Sequence, residues 1–462
     1  MHRIVHLDLK GAPLKVAYLE KVLQVIKLWG ATGVLLEWED TFPYSGNLID
    51  IGSVSNSGGD NMYSLAEVKH IMQFAKNNGL VPIQLIQTIG HMEFALKHPA
   101  FRGLREIDRS PAVLCPSKAQ SQILVRAMIE QAMDAQPDAE YLHIGADEVW
   151  HTAVCADCQT NAANSRYKAA SLYLDHIRNL TLFIKEKRPH LKVLMWDDML
   201  RAIDVQTLSE YALGDLIEPV LWHYNPSECF AIDTNLWTNY AQLFPKVWAA
   251  SAFKGANGSC QVLSPVRRYV SNHEAWVALM KTQSARVHFA GIILTGWSRY
   301  DHYATLCELL PVSLPSLASC LRVLTKAEGI PRETLINEIL PSPEWPGEEL
   351  ARCIHSFVII RERCLSLINS DLVTTWLNPW QIERRYTVPV HVEGIAVAGQ
   401  HLLSELTILQ ADISTYLHEI TGKRSADEWL KTYLEPIMSK LTVLCEISHD
   451  RSTCVASVRP LI

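Results

Sequence analysis

Short apolar runs alternate with helical patterns over the first two thirds of the chain. Arg3–Lys10, Gly33–Glu39 (GVLLEWE) and Val81–Gln87 (VPIQLIQ) are apolar, β-branched segments of strand length. Helical spacing follows in Leu14–Trp29, Ser64–Asn78 and Lys118–Ala135. Ser64 stands three residues before Glu67, the spacing of a capping box, and Gly79 ends that helix. A fourth strand opens the stretch Tyr141–Trp150 and is followed by a helix over Lys168–Lys187. Four more strands are expected in Lys192–Asp197 (KVLMWD), Glu218–Tyr224 (EPVLWHY), Lys246–Ser251 (KVWAAS) and Gly291–Trp297 (GIILTGW). A helix over Tyr303–Leu310, continuing to Leu324, closes the circuit, and two long polar loops interrupt it at Thr41–Tyr63 and before Pro116.

Eight strand–helix repeats predict an α/β fold, a (β/α)8 barrel over residues 1–325. The alternative, an open doubly wound sheet, usually carries a glycine-rich phosphate turn after its first strand, and none stands there. Beyond Lys326 the strand pattern stops. Helices are expected over Glu349–Asn369, Ile395–Ile420 and Ala426–Ile447, with Trp376-Leu377-Asn378-Pro379-Trp380 as a Pro-broken link. Residues 326–462 therefore read as a helical C-terminal region, which either packs on the barrel or pairs two chains into a homodimer.

Composition narrows the partners. The chain has 462 residues, 48% hydrophobic and 20% charged, with a net charge of −7. That balance argues against nucleic acid and against an anionic membrane surface. No apolar run reaches bilayer length, and the N-terminus enters a strand with Asp8 where a secretory leader needs its apolar core. A cytoplasmic or nuclear protein is the expectation. The 11 cysteines follow no disulfide spacing. Cys155-Ala156-Asp157-Cys158 is a lone CxxC that reads as a surface pair of reduced thiols, because a zinc site would call for a second pair or paired histidines nearby.

A barrel assembles its site from the C-terminal ends of its strands. On that rule the candidates are Asp8 and Lys10 after strand one, and Glu37, Trp38, Glu39 and Asp40 after strand two. Strand three contributes His91 and Glu93, and strand four Asp147, Glu148 and Trp150. Strands five to seven give Trp196, Asp197 and Asp198, then Trp222, His223 and Tyr224, then Trp248. Strand eight gives Trp297, Arg299, Tyr300, Asp301 and His302. In Tyr141–Trp150, strand alternation would put His143, Gly145 and Asp147 on one face and Leu142, Ile144 and Ala146 on the other. Neighbouring acids resist ionising together, so Asp147 and Glu148 supply one protonated and one ionised carboxyl near neutral pH. An isolated Asp-Glu pair is more often a solvated loop; here several tryptophans fall at the same predicted rim. Aromatic planes interleaved with carboxylates suit an uncharged, hydroxyl-rich ligand such as a sugar. His91, His143, His223 and His302 could be metal ligands, but no HxH ends strand one and no HExxH occurs, so neither metal nor other cofactor is expected. GxSxG is absent as well.

The stretch His143-Ile144-Gly145-Ala146-Asp147-Glu148 resembles the H-x-G-[AG]-D-E signature of the β-N-acetylhexosaminidases of glycoside hydrolase family 20. Five further stretches agree in order: His6–Gly11, Gln87–Phe94, Trp196–Met199, Trp222–Tyr224 and Gly296–Tyr303. They look closest to the intracellular D type of that family; the likeness is strong over the barrel and loose over the C-terminal helices. It implies a retaining exo-hydrolase of terminal GlcNAc or GalNAc, with substrate-assisted catalysis and no metal. On that resemblance Glu148 is the general acid/base and Asp147 holds the acetamido N–H. Tyr224 bonds the acetamido carbonyl, and Trp196, Trp222 and Trp297 box the methyl group and ring. Asp8, His91, Glu93 and Asp301 are expected to touch hydroxyls or support the site. Where the family often places an acid after strand six, His223 separates Trp222 from Tyr224.

Overall fold

The computed structural model describes residues 1–52, 61–326 and 345–453. Residues 53–60 of the first long loop and 327–344 of the expected helical region lie outside them. In chain order the strands are β1 (His2–Asp8), β2 (Gly33–Glu37), β3 (Val81–Leu85), β4 (Arg105–Ile107), β5 (Ser110–Leu114), β6 (Tyr141–His143), β7 (Lys192–Trp196), β8 (Ile217–Trp222), β9 (Val247–Lys254) and β10 (Phe289–Gly296). Eight of them close a parallel barrel in the order β1–β10–β9–β8–β7–β6–β3–β2, while β4 and β5 form a separate hairpin inside the second polar loop. The barrel fold expected from the repeats is the fold observed. Helices on the outer face leave the strands buried on both sides, which is why they read as continuous apolar runs.

Register decides what reaches the mouth. β1 and β2 pair so that Leu7 faces Leu36 and Asp8 faces Glu37, putting two carboxylates level at the exits of adjacent strands. Below them Ile4, Leu35, Ile83, Leu85, Leu194, Val220 and Ile293 fill the interior with Tyr141 and Trp248. Trp248 is therefore core, not rim. It stacks on His2 at 5.5 Å, meets Tyr141 edge-on at 5.4 Å, and donates to Glu218 Oε2 at 2.6 Å. The expectation failed because β9 runs on to Lys254, so Trp248 sits near its start.

Two other segments depart from their periodicity. β6 stops at His143, because the backbone turns left-handed at Gly145 (φ 64°), Ala146 (φ 69°) and Glu148 (φ 49°). The two-face alternation expected along Tyr141–Trp150 ends with it. The helix expected from Tyr303 begins instead at Leu310 and runs to Lys326. Asp301 Oδ1 accepts from the N–H groups of Tyr303 and Ala304, and so holds that segment as a turn. The thiols of Cys155 and Cys158 also differ from the surface pair expected: Cys158 is buried, and Cys115 Sγ lies 3.4 Å from each.

The chain divides into two compact units, Met1–Pro346 and Gly347–Ile462. The second is built of helices, the longest being Glu348–Ile368, Pro389–Ile420 and Glu435–Thr453. The link at Trp376–Trp380 is a capped helix start: Asn378 Oδ1 accepts from Trp380 N and Gln381 N, with Pro379 at the first helical position. The helix expected over Ala426–Ile447 is interrupted by a π-helical turn at Leu430–Leu434 just before Pro436, whose ring nitrogen cannot donate. Among the described residues, no helix is long and apolar enough to cross a membrane.

Candidate active site

At the C-terminal mouth of the barrel lies a cleft of about 230 Å³. Its lining includes Asp147, Glu148, His91, Gln87, Lys10, Glu37, Trp196, Trp222, Tyr224 and Trp297. Four aromatic side chains form the wall. Trp222 stacks on Tyr224 (5.2 Å, 23°), Trp196 meets Trp297 at 5.9 Å, and Trp297 Nε1 donates to the Tyr224 hydroxyl at 3.3 Å. Trp196 Nε1 is buried with no hydrogen-bond partner among the described residues.

The carboxylates sit on the left-handed turn after β6. Gly145 is required there: a Cβ on it would stand 1.9 Å from Gln87 Oε1. That side chain accepts from Ala146 N at 3.2 Å, and its amide donates to Asp147 Oδ1 at 3.1 Å. Gly90 serves the same turn, since its Cβ would lie 2.1 Å from the Asp147 carbonyl oxygen. On the other side Asp198 accepts from Glu148 N at 2.9 Å and from Trp222 Nε1 at 3.2 Å. Asp147 is thus buried and held, while the Glu148 side chain is 38% exposed to the cleft.

His91 stands against both acids, its Nε2 3.4 Å from Asp147 Oδ2 and 3.2 Å from Glu148 Oε2. Burial opposes its charge, but the two carboxylates outweigh burial and push its pKa up to about 10. The hydrogen bond from His91 in turn lowers Glu148, whereas burial raises Asp147. Asp198 is pushed up to about 7, by burial first and then by the neighbouring Asp147. With the cleft open to water, therefore, the proton favours Asp147 and Asp198 over Glu148. This is the reverse of the order expected from the sequence. Ligand atoms of His91, Asp147 and Glu148 lie within 4.8 Å of one another, a closeness that their ion pairing already accounts for.

Beneath the cleft, Lys10 Nζ lies 3.0 Å from Asp8 Oδ2, 3.6 Å from Glu37 Oε1 and 4.9 Å from the centre of the Trp297 ring. Burial disfavours the Lys10 and Glu37 charges, but Asp8 and then Glu37 raise Lys10 above its usual range, and Lys10 with His6 lowers Glu37.

The structure brings Asp147, Glu148, His91, Trp196, Trp222, Tyr224 and Trp297 to one cavity and leaves outside its lining three of the residues that the family resemblance implied. Asp8 is buried beside Lys10 and accepts from Ser298 N at 2.8 Å. Glu93 is buried at the start of the helical turn Glu93–Leu96, with its pKa raised by burial. Asp301 caps its own turn. His223 turns from the cleft to pack on Phe230 at 4.7 Å, while its carbonyl accepts from Asn272 and Trp276. His302 pairs with Glu39 and Lys97, and His143 is buried against Trp196 at 4.4 Å. The four histidines weighed as metal ligands thus do not meet. Gln87 and Asp198 hold the acid pair; Asp198 was among the strand-end candidates, whereas Gln87 was not singled out as a site residue. The signal for Gln87 was adjacency, since it opens the stretch that carries His91.

This geometry agrees with what the chain is similar to. Residues 37–223 match glycosyl hydrolase family 20, catalytic domain. Human "Hexosaminidase D" is 36% identical over 461 residues, covering 96% of this chain and 93% of that one. The chain belongs to glycoside hydrolase family 20. Like that family, it is a glycoside hydrolase. Bovine "Hexosaminidase D" is 43% identical over 323 residues, covering 70% of this chain and 91% of the relative. Among solved structures, the family 20 chitobiase of Flavobacterium johnsoniae aligns with a TM-score of 0.57 at 13% identity, covering 98% of this chain and 73% of that one. A β-N-acetylhexosaminidase of Bacteroides fragilis aligns with a TM-score of 0.55 at 16% identity, over 73% of this chain and 69% of that one. At those identities the two structures speak for the fold alone.

Proposed function

We propose that the protein is an exo-acting, retaining β-N-acetylhexosaminidase that removes terminal GlcNAc or GalNAc with the help of the substrate's own acetamido group. The observation that carries this reading is the placement of Asp147 and Glu148, on one strained turn, at a cleft walled by Trp196, Trp222, Tyr224 and Trp297. The name of the human and bovine relatives supports it.

In this mechanism the acetamido carbonyl oxygen attacks the anomeric carbon while the glycosidic C–O bond breaks. Glu148 gives its proton to the leaving oxygen; Asp147, ionised, accepts the acetamido N–H and offsets the positive charge of the oxazolinium. Tyr224 donates to the carbonyl oxygen, orienting it, and the tryptophans enclose the methyl group and ring. Water then enters, Glu148 removes its proton, the oxygen adds to the anomeric carbon and the five-membered ring opens with retention.

Sugar binding itself corrects the resting proton distribution. An N–H donated to Asp147 favours its ionised form, and exclusion of water from the half-exposed Glu148 favours its neutral form. The proton thus moves to the residue that has to give it away.

Turnover of aryl N-acetyl-β-glucosaminide and N-acetyl-β-galactosaminide, set beside aryl β-glucoside, tests the assignment. The N-acetyl substrates should be hydrolysed and the glucoside spared. Glu148→Gln should cost kcat about 10²- to 10⁴-fold, the range for a general acid/base, while a thiazoline inhibitor still binds. Equal turnover of the glucoside, or unaltered turnover by Glu148→Gln, would overturn it.

A further inference from the structure

Away from the cleft, the β4–β5 hairpin meets the chain leaving Glu148, and four side chains converge there. They are Glu106 on β4, Cys115 just past β5, and Cys155 and Cys158 at the start of the helix Ala156–Asn164. One ligand atom from each lies within 4.8 Å of the other three. Cys115 Sγ is 3.4 Å from both Cys155 Sγ and Cys158 Sγ, and Cys158 N points at Cys155 Sγ at 3.4 Å. Tetrahedral zinc with bonds of about 2.3 Å to sulfur sets ligand atoms roughly 3.8 Å apart, close to this spacing.

The second observation is the carboxylate. Glu106 is 3% exposed, and its Oε1 accepts from Val154 N at 2.6 Å and Cys155 N at 3.1 Å. Its carboxylate faces the Cys155 and Cys158 thiols, and with the backbone N–H groups these hold its pKa below the usual range against the opposing effect of burial. A buried carboxylate set against three converging sulfurs calls for an explanation, and a cation supplies one. A disulfide does not: it would join two of the three sulfurs and leave both the third and the carboxylate unanswered. Leu172, Ala162 and Ala153 pack against the sulfurs.

We propose that Glu106, Cys115, Cys155 and Cys158 bind one zinc ion as a closed structural site. Three thiolates and a carboxylate carry the same total charge as a four-thiolate zinc site. Binding releases the thiol protons, with no oxidation or reduction. The ion ties the hairpin to the chain seven residues past Glu148. That hairpin also holds the segment around His91, since Met92 N donates to Ala112 O at 3.0 Å and Leu114 N to Ile89 O at 2.9 Å. The zinc thereby braces the two loops that carry the catalytic turn and its histidine, and takes no part in the reaction.

The direct test is elemental analysis of the full-length protein, produced with zinc and purified under reducing conditions without chelator. One zinc per chain is expected, with Cys115→Ser and Glu106→Gln each lowering that ratio. Should those variants fold poorly, cobalt exchanged into the wild type should give the charge-transfer band of thiolate ligation at one equivalent. A fully reduced wild type that takes up neither zinc nor cobalt, or variants that retain the full ratio, would refute the site. None of these readouts depends on hydrolysis, so the site and the proposed activity fail or stand separately.

Discussion

His91 sets the proton balance of the two acids it touches. Its cation favours their ionised forms, so removing it raises the pKa of the pair. His91→Asn should therefore move the whole pH profile of kcat/KM to higher pH, since that profile reports the free enzyme. A profile that stays put or moves to lower pH would contradict the role given to this histidine. The carboxylates titrate as a pair, and it is the pair's limbs that the profile reads. At this scale the sequence shows which residue types gather at strand ends, because carboxylates and tryptophans at repeated exits are legible one strand at a time. It does not show who holds whom. Gln87, Asp198 and Lys10 act through contacts between strands, and no single stretch announces that Gln87 carries Asp147 or that Asp198 fixes Glu148. Asp301 lies in a family-like stretch, and its Oδ1 accepts from two backbone amides of its own turn.

The decisive element is the turn after β6. Apolar Leu142 and Ile144 predict a strand correctly at its start, but the strand ends where the backbone must swing both acids into the cleft. Left-handed geometry at Ala146 and Glu148 costs of order 1–3 kcal/mol per residue and persists because surrounding bonds hold it. Gly145→Ala should break that arrangement. The new Cβ collides with the Gln87 side chain that carries Asp147, and displacements near 1 Å can cost about 10²-fold in rate. We expect a folded barrel by circular dichroism with kcat reduced to that extent; full activity would show that the turn tolerates displacement. The hairpin β4–β5 was unreadable for a different reason. It lies in a loop, and the role proposed for it rests on Cys115 meeting a CxxC 40 residues later in the chain.

Over the whole molecule, the cleft and every residue assigned to the chemistry belong to the unit Met1–Pro346, which has its own closed barrel and core. We propose that the catalytic domain ends with this unit, at Pro346. A chain ending at Pro346 should fold cooperatively and keep most of its turnover; failure to recover a folded product would tie the helical unit to the barrel's stability. The repeat pattern made the barrel readable because each strand–helix unit carries its own periodicity. A boundary between units carries no period of its own. The central claim, that the sugar's acetamido oxygen is the nucleophile, meets its most direct test in aryl N-acetyl-β-hexosaminides bearing zero to three fluorines on the acetyl methyl. Each fluorine withdraws electrons from that oxygen, so kcat/KM should fall steeply with every one added. Rates that stay level across the series would mean that the oxygen does not attack.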